Sequence, residues 1–151
     1  MEQKEIELIE KKKRSLKRYK KNLSCIERLE AKLDQIETRM TSVRSPKLSD
    51  MPRGGTPVTI EDLIADKIEL EERIDRLKKK SRKLRSEILE EIDRVDDTRY
   101  SEVLESFFID CKTLEDIAEE MGYTDRHIYR LYSEGVTYLA LSDKGQSDIS
   151  N

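Results

Sequence analysis

The stretch LEDIAEEMGYTDRHIYRLYS, residues 114–133, decides the fold that we expect for this chain. Its apolar residues have the spacing of two short helices that cross at a turn, as in a helix-turn-helix. Ala118 stands where the two helices approach most closely, and Gly122 stands where the turn requires a positive φ. Thr113 and Thr124 are placed to cap the two helices. The expected inward positions are Ile117, Met121, Tyr123, Ile128 and Leu131.

The outward side of the second helix is the expected site, because such a helix can enter the major groove of DNA. Arg126 and Arg130 are the best candidates for reading guanine or holding phosphate, whereas Tyr129 suits a phosphate, a thymine methyl group or solvent alone. His127 points toward the flank and is interpreted as a polar surface residue. The alternative for the whole stretch is an αα-corner without a ligand. The expected DNA contacts are Thr124, Asp125, Arg126, Tyr129, Arg130 and Ser133.

Residues 98–141 are expected to form the small domain that carries this motif. Asp97 or Thr98 can cap a short helix that precedes the motif and supplies further core residues. The polar sequence SDKGQSDISN, residues 142–151, has no periodicity and is predicted to be disordered. The apolar residues of the short helix are Val103, Leu104, Phe107, Phe108 and Ile109.

Residues 1–97 show two long apolar stripes at helical spacing, which predict an antiparallel helical hairpin, or coiled coil. The first helix is predicted over about 5–43, with its one irregularity at Ile26, Leu29 and Leu33. The connection at 45–58 contains three prolines and Gly54-Gly55, so no helix crosses it, and Thr59 caps the second helix. The stripes consist of Leu16, Tyr19, Leu23, Ile26, Leu29, Leu33, Ile36, Met40 and Val43, and of Leu63, Leu70, Ile74, Leu77, Leu84, Ile88, Ile92 and Val95.

The apolar stripe widens at both ends of the predicted hairpin, which calls for additional packing partners. Near the connection, Ile60, Ile64 and Ile68 add a flank that a second copy of the chain could cover, so we expect a homo-oligomer. At the open end, Leu8, Ile9 and Leu89 are expected to contact the C-terminal domain.

Composition excludes several classes of function. Charged residues make up 42% of the 151 residues, and no apolar run is long enough for a membrane span or a signal peptide, so we expect a cytoplasmic protein without a membrane partner. Cys25 and Cys111 have no Cys or His at ligand spacing, which leaves no expected metal or cofactor. No nucleophile–base pair or phosphate-binding loop is present, and we do not expect an enzyme.

Charge is distributed unevenly along the chain. Residues 1–44 hold 13 Lys and Arg against 8 Asp and Glu, whereas residues 99–151 hold 5 against 11. The expected DNA-binding segment is therefore acidic, although its acidic side chains fall on the first helix of the motif and could face RNA polymerase or another regulator. Two basic runs, 11–21 and 76–85, are expected to merge in the hairpin into a patch that is either solvated or bound to an anion. The possible phosphate contacts are Thr113, Lys79, Lys80, Arg82 and Lys83.

The sequence from Val103 to Leu139 resembles the promoter-binding C-terminal domain of sigma factors. The whole layout, with Met-Pro-Arg-Gly-Gly at 51–55, resembles small phage proteins of Gram-positive hosts, the ArpU and RinA type of late transcription regulators. That resemblance implies a phage-encoded regulator, although Asp125, Arg126, Tyr129 and Arg130 replace the usual sigma residues, so the usual promoter hexamer does not carry over. The residues that match the sigma pattern are Thr113, Leu114, Glu115, Ile117, Ala118, Gly122, Thr124 and Ile128.

Two functions from different classes are compatible with these patterns. The first is a transcription regulator that binds double-stranded DNA through the sigma-like helix-turn-helix and possesses no catalytic residues. The second is an assembly, adaptor or DNA-packaging protein, similar to a small terminase subunit, in which the hairpin mediates oligomerisation. Stoichiometry separates them, because a ring of eight or more subunits is typical of packaging.

Overall fold

The computed structural model describes residues 2–44 and 58–149, and within these residues every regular element is an α-helix. The predicted all-α fold class is confirmed at this level. The connection at 45–57, including the 51–55 motif, and residues 150–151 lie outside the described residues. The helices are α1 (Gln3–Leu16), α2 (Arg18–Arg44), α3 (Ile60–Asp93), α4 (Thr98–Phe108), α5 (Leu114–Met121) and α6 (Asp125–Ile149).

The first predicted helix is interrupted at Lys17, so the prediction of one continuous helix over 5–43 was wrong. Lys17 has φ −78° and ψ −6°, a ψ well away from the −42° that is typical of an α-helix. The Arg18 Nε atom donates to the Ser15 carbonyl oxygen at 2.8 Å, which satisfies a carbonyl at the helix end. A side chain therefore takes over a backbone acceptor at this point, which apolar periodicity does not reveal.

The chain forms two compact units, 1–21 with 81–151 and 22–80, and the predicted boundary near residue 97 does not separate them. In the first unit, α4, α5 and α6 share a core with α1 and the end of α3. The short helices α4 and α5, of 11 and 8 residues, have little apolar surface of their own, and α1, α3 and α6 supply the rest. The fully buried members of this core include Leu16, Ile88, Ile92, Val103, Leu104, Phe108, Ile117, Ile128, Leu131 and Val136.

The second unit pairs α2 with α3 through a small core of Ile26, Leu29 and Ile74. The Lys78 ammonium lies 3.1 Å from the Glu30 carboxylate, and the Lys67 ammonium lies 3.5 Å from that of Glu37. The later of the two α2 residues, Glu37, pairs with the earlier of the two α3 residues, Lys67, so the two segments run antiparallel. Asn22, which is buried, donates its side-chain amide to the Leu77 carbonyl oxygen at 2.8 Å.

Four predicted helix caps are confirmed. Asp97 accepts from the Arg99 amide at 3.0 Å and Thr113 accepts from the Asp116 amide at 3.1 Å. Thr59 accepts from the Asp62 amide and Thr124 from the His127 amide, both at 3.2 Å. Each cap satisfies a backbone donor that the first helical turn leaves without a partner.

Two details of the C-terminal segment differ from the sequence prediction. Tyr123 was expected to face inward but is 39% exposed, and its ring lies edge-on against that of His127, with the ring centroids 4.8 Å apart. The last helix, α6, continues to Ile149, past the domain end that was predicted at residue 141. Extending an existing helix costs little, and Leu139 and Ala140 anchor the preceding turn in the core.

We expect Ala118→Leu to destabilise the protein by about 1–3 kcal/mol, because the enlarged side chain overpacks a residue that is 1% exposed. Urea denaturation followed by circular dichroism measures the change. Ala65→Leu is the matched control, since Ala65 is exposed on α3 and the same substitution there should leave the midpoint nearly unchanged. Equal midpoints for the two variants would contradict this packing.

Gly122 has φ 70° and ψ 30°, the left-handed conformation that was expected. A Cβ atom at this position would contact nothing within 4 Å, so the cost of substitution is conformational rather than steric. We expect Gly122→Ala to lower stability by about 1–2 kcal/mol, and Gly122→Asn by less, because Asn tolerates this conformation. Thermal denaturation of the three proteins gives the order, and a more stable alanine variant would contradict the assigned turn.

Candidate nucleic-acid interface

The capping residue Thr124 and five residues in the first turns of α6 are exposed, whereas other residues of the same turns are buried. Ile128 and Leu131 are 0% and 1% exposed, whereas Tyr129, on the other side, is 62% exposed. All six residues expected from the sequence to contact DNA are exposed, and we call them the α6 outer face. They are Thr124, Asp125, Arg126, Tyr129, Arg130 and Ser133.

The turn between α5 and α6 fixes the direction of this face. The Tyr123 amide donates to the Ala118 carbonyl oxygen at 2.9 Å, which closes the end of α5 around Gly122. Ala118 is buried, so α5 crosses α6 closely, and the Thr124 cap begins α6 two residues after the glycine. The α6 outer face is thus held by backbone and core contacts and not by its own side chains.

A second close approach positions α6 against α4. A Cβ atom on Gly135 would lie 3.1 Å from Leu104 Cδ1, which is tighter than ordinary van der Waals contact. The absence of a side chain at this position lets the two helices meet. The sequence analysis did not identify Gly135, because a glycine within a helical pattern does not show which side of the helix packs against another element.

Glu134 links the α6 outer face to α4. The Tyr100 hydroxyl donates to Glu134 Oε2 at 2.6 Å, and the Arg130 Nε atom lies 3.4 Å from Glu134 Oε1. The hydrogen bond to this carboxylate raises the pKa of Tyr100 above its usual value, because loss of the proton would place two negative charges together. Arg130 is therefore oriented by a neighbour, and sequence reasoning missed both Tyr100 and Glu134.

Arg126 is the least constrained cation on the α6 outer face. In the part of the chain that the structure describes, no carboxylate lies within ion-pair distance of its guanidinium group. A free guanidinium presents five donors in a planar fork, which matches the two acceptors of guanine or a phosphate. Arg126 can therefore bind such a group without first breaking an internal contact.

Aromatic contacts connect the α6 outer face to the beginning of α2. Tyr129 lies 6.3 Å from Tyr132, and Tyr132 lies 4.9 Å from Phe107, measured between ring centroids. The Lys20 ammonium stands 4.8 Å from the centroid of the Phe107 ring in a cation–π contact. Burial raises the pKa of Tyr132, because the charged phenolate is disfavoured away from water.

The expected phosphate contacts occupy different settings. Thr113 uses its hydroxyl oxygen as the α5 cap, and the Lys79 ammonium lies 3.2 Å from the Asp75 carboxylate. Lys80, Arg82 and Lys83 are exposed, and no ion-pair partner accompanies them among the described residues. Residues 79–80 and 82–83 belong to different compact units.

The acidic residues of α5 are exposed and distinct from the α6 outer face. Lys112 pairs with Glu120 at 2.8 Å, and the pKa of Lys112 is raised by this hydrogen bond. The other exposed carboxylates of this helix belong to Glu115, Asp116 and Glu119. This surface repels phosphate and suits a basic protein surface instead.

Residues 2–44 and 58–149 contain neither a metal-ligating cluster nor a membrane-spanning helix. No group of three or more His, Cys, Asp or Glu residues there is arranged to hold a metal ion. None of the helices described has both the length and the apolar character needed to cross a membrane.

These features define an all-helical protein in which a short helix, a glycine turn and a second helix expose a polar face. The chain belongs to the DUF1492 family, which is described as a protein of unknown function and whose model matches residues 42–140. The matched range includes α3, α4, α5 and the α6 outer face. No curated protein and no solved structure matches the chain.

We expect Tyr100→Phe to flatten the loss of stability at alkaline pH. The pKa of Tyr100 is raised in the folded protein, so its hydrogen bond to Glu134 stabilises the fold fully at pH values below the pKa of about 10 that tyrosine has in the unfolded chain. This stabilisation is lost as the pH rises through the pKa of Tyr100 in the folded protein. Melting temperatures between about pH 8 and pH 11 measure the effect, and Tyr132 serves as a constant background in both proteins. Identical pH profiles would contradict the Tyr100–Glu134 contact.

Proposed function

We propose that this protein is a DNA-binding regulator of transcription that reads duplex DNA with the α6 outer face. In this proposal α5, the Gly122 turn and α6 form a helix-turn-helix of the sigma type, which follows a helical hairpin made by α1, α2 and α3. The observation that carries the proposal is the exposure of all six residues of the α6 outer face, while Ile128 and Leu131 of the same helix are buried. Within this face, Arg126 forms no ion pair with any residue that the structure describes.

Each residue of the α6 outer face has a defined chemical use in a major groove. Arg126 and Arg130 match the O6 and N7 acceptors of guanine, and Asp125 can accept from the amino group of cytosine. Tyr129 fits a thymine methyl group or a phosphate, while Thr124 and Ser133 suit phosphate oxygens. Thr113, at the start of α5, lies at a helix N-terminus, where anions are favoured.

Cations of the same compact unit offset the acidity of α4–α6. The described part of this unit holds Lys17, Lys21, Arg82, Lys83 and Arg85, for which no carboxylate lies within ion-pair distance among the described residues. Neutralising phosphates supplies most of the affinity of proteins for DNA, and the α6 outer face alone provides two cations. The acidic side of α5 is left for a protein such as RNA polymerase.

We expect Arg126→Ala and Arg130→Ala each to weaken binding to a DNA site selected from a random duplex pool. The loss of one base contact costs about 1–3 kcal/mol, or about 5-fold to 150-fold in Kd. Arg94→Ala is the matched control, since Arg94 is an exposed arginine outside the face. Fluorescence anisotropy measures Kd, and circular dichroism verifies the fold. Unchanged Kd values for both variants would contradict the proposal.

Phosphate contacts leave a different signature in the same titrations. We expect the double variant Arg82→Gln, Lys83→Gln to bind selected and random DNA more weakly by the same factor. Each lost contact should also reduce the log–log salt slope by about 0.9. Arg28→Gln, Lys79→Gln is the matched comparison in the other compact unit, since both residues are exposed there. A loss confined to the selected site would assign Arg82 and Lys83 to base recognition instead.

A further inference from the structure

One face of α3 carries six exposed charged residues at the spacing of a coiled-coil heptad. They follow one another in steps of four, three, four, three and four residues, which keeps them in one line along a helix. The first three are acidic and the last three are basic. We call these residues the α3 charge stripe: Asp62, Asp66, Glu69, Arg73, Arg76 and Lys80.

The stripe borders a shallow groove between α2 and α3 within the 22–80 unit. The groove has a volume of about 240 Å³, and its floor includes the half-buried side chains of Ile36 and Leu70. Asp66 and Glu69 line it toward the beginning of α3, and Arg73 lines it toward the other end, together with Lys32 from α2. An apolar floor between charged edges is the usual form of a helix-packing surface.

Among the described residues, the six stripe side chains form no ion pair, although the Asp62 carboxylate accepts a hydrogen bond from the Thr59 amide at 3.4 Å. Elsewhere in this unit Lys78 pairs with Glu30, Lys67 with Glu37, and Lys79 with Asp75. Glu69 and Arg73 have the favourable four-residue spacing for a helical ion pair, yet their side chains remain apart.

We propose that the α3 charge stripe is the interface with a second copy of this chain, arranged antiparallel about a two-fold axis near residue 71. This arrangement sets Asp62 opposite Lys80, Asp66 opposite Arg76, and Glu69 opposite Arg73 of the second copy. A two-fold axis repeats each pair, so three unique contacts become six. The opposed segments extend over about 27 Å, and the Ile36–Leu70 grooves face each other across the axis.

The order of charges along the α3 charge stripe favours a second copy of this chain as its binding partner, because the reversed stripe is complementary to it. A nucleic acid is uniformly negative and would be repelled by the acidic half of the stripe, whereas a second copy supplies the reversed order of charge. Arg76 and Lys80, which belong to one of the basic runs in the sequence, are then protein contacts. The inference goes beyond the proposed function and does not depend on it.

Charge reversal in each half of the stripe tests the interface. The acid-reversed variant is Asp66→Lys, Glu69→Lys, and the base-reversed variant is Arg73→Glu, Arg76→Glu. Each variant alone places like charges opposite one another, so we expect its dimer Kd to rise by about 100-fold or more. An equimolar mixture restores opposite charges and should form a dimer of one acid-reversed and one base-reversed chain.

Sedimentation velocity provides the masses, starting from 17.8 kDa for one chain. The proposal expects about twice this mass for the unmodified protein and for the mixture, and the single-chain mass for each variant alone. Glu27→Lys, Asp34→Lys is the matched control, because it changes the net charge as the acid-reversed variant does but lies on α2, outside the stripe and the groove, and it should remain dimeric. Helical circular dichroism verifies that every variant is folded.

Three results would overturn the proposal. The first is an unmodified protein that remains monomeric at about 100 times the concentration used for the variants, or that forms a larger ring. The second is a reversed variant that dimerises as well as the control. The third is a mixture of folded variants that stays monomeric.

Discussion

Burial of Leu16, Ile88 and Ile92 against α4, α5 and α6 is the interaction on which the candidate interface depends. These three side chains are 0–1% exposed, and they come from α1 and α3, far in sequence from the segment that they support. Short helices are marginal when isolated, because ordering the backbone costs more than their own contacts return. The α6 outer face is therefore held rigid by residues outside the motif.

A charged contact reinforces this core where α1 meets α3. The Lys12 ammonium lies 2.9 Å from Glu91, and the two side chains are only 8% and 21% exposed. Losing one partner of a buried pair leaves an uncompensated charge, so removing either side chain should destabilise the contact between α1 and α3. Variants of α1 are thus able to affect the α6 outer face without touching it, through Leu16 and Lys12.

Local chemistry explains which parts of the fold could be read from the sequence. Roles that depend only on neighbouring residues were predicted correctly. Thr113 and Thr124 each cap a backbone amide three residues further along the chain, and Gly122 adopts the positive φ of the turn. The break at Lys17, the exposure of Tyr123 and the buried Asn22 depend on side chains that compete for distant or backbone groups. Tyr100 and Glu134, which are 34 residues apart, likewise required the packing of α4 on α6 to be known. For the candidate site, periodicity identified the exposed positions, but it did not show that Glu134 lies within ion-pair distance of Arg130. Nor did it show that no carboxylate of the described residues lies within that distance of Arg126.

The most direct test of the central claim is an amide NMR titration of the full chain with a duplex selected from a random pool. The account predicts that the largest chemical-shift changes fall within residues 124–133, with smaller changes at the N-terminus of α5 and none beyond noise along residues 60–75 of α3. Shift changes concentrated on α2 and α3, with the amides of 124–133 unmoved at saturation, would contradict DNA recognition by α6.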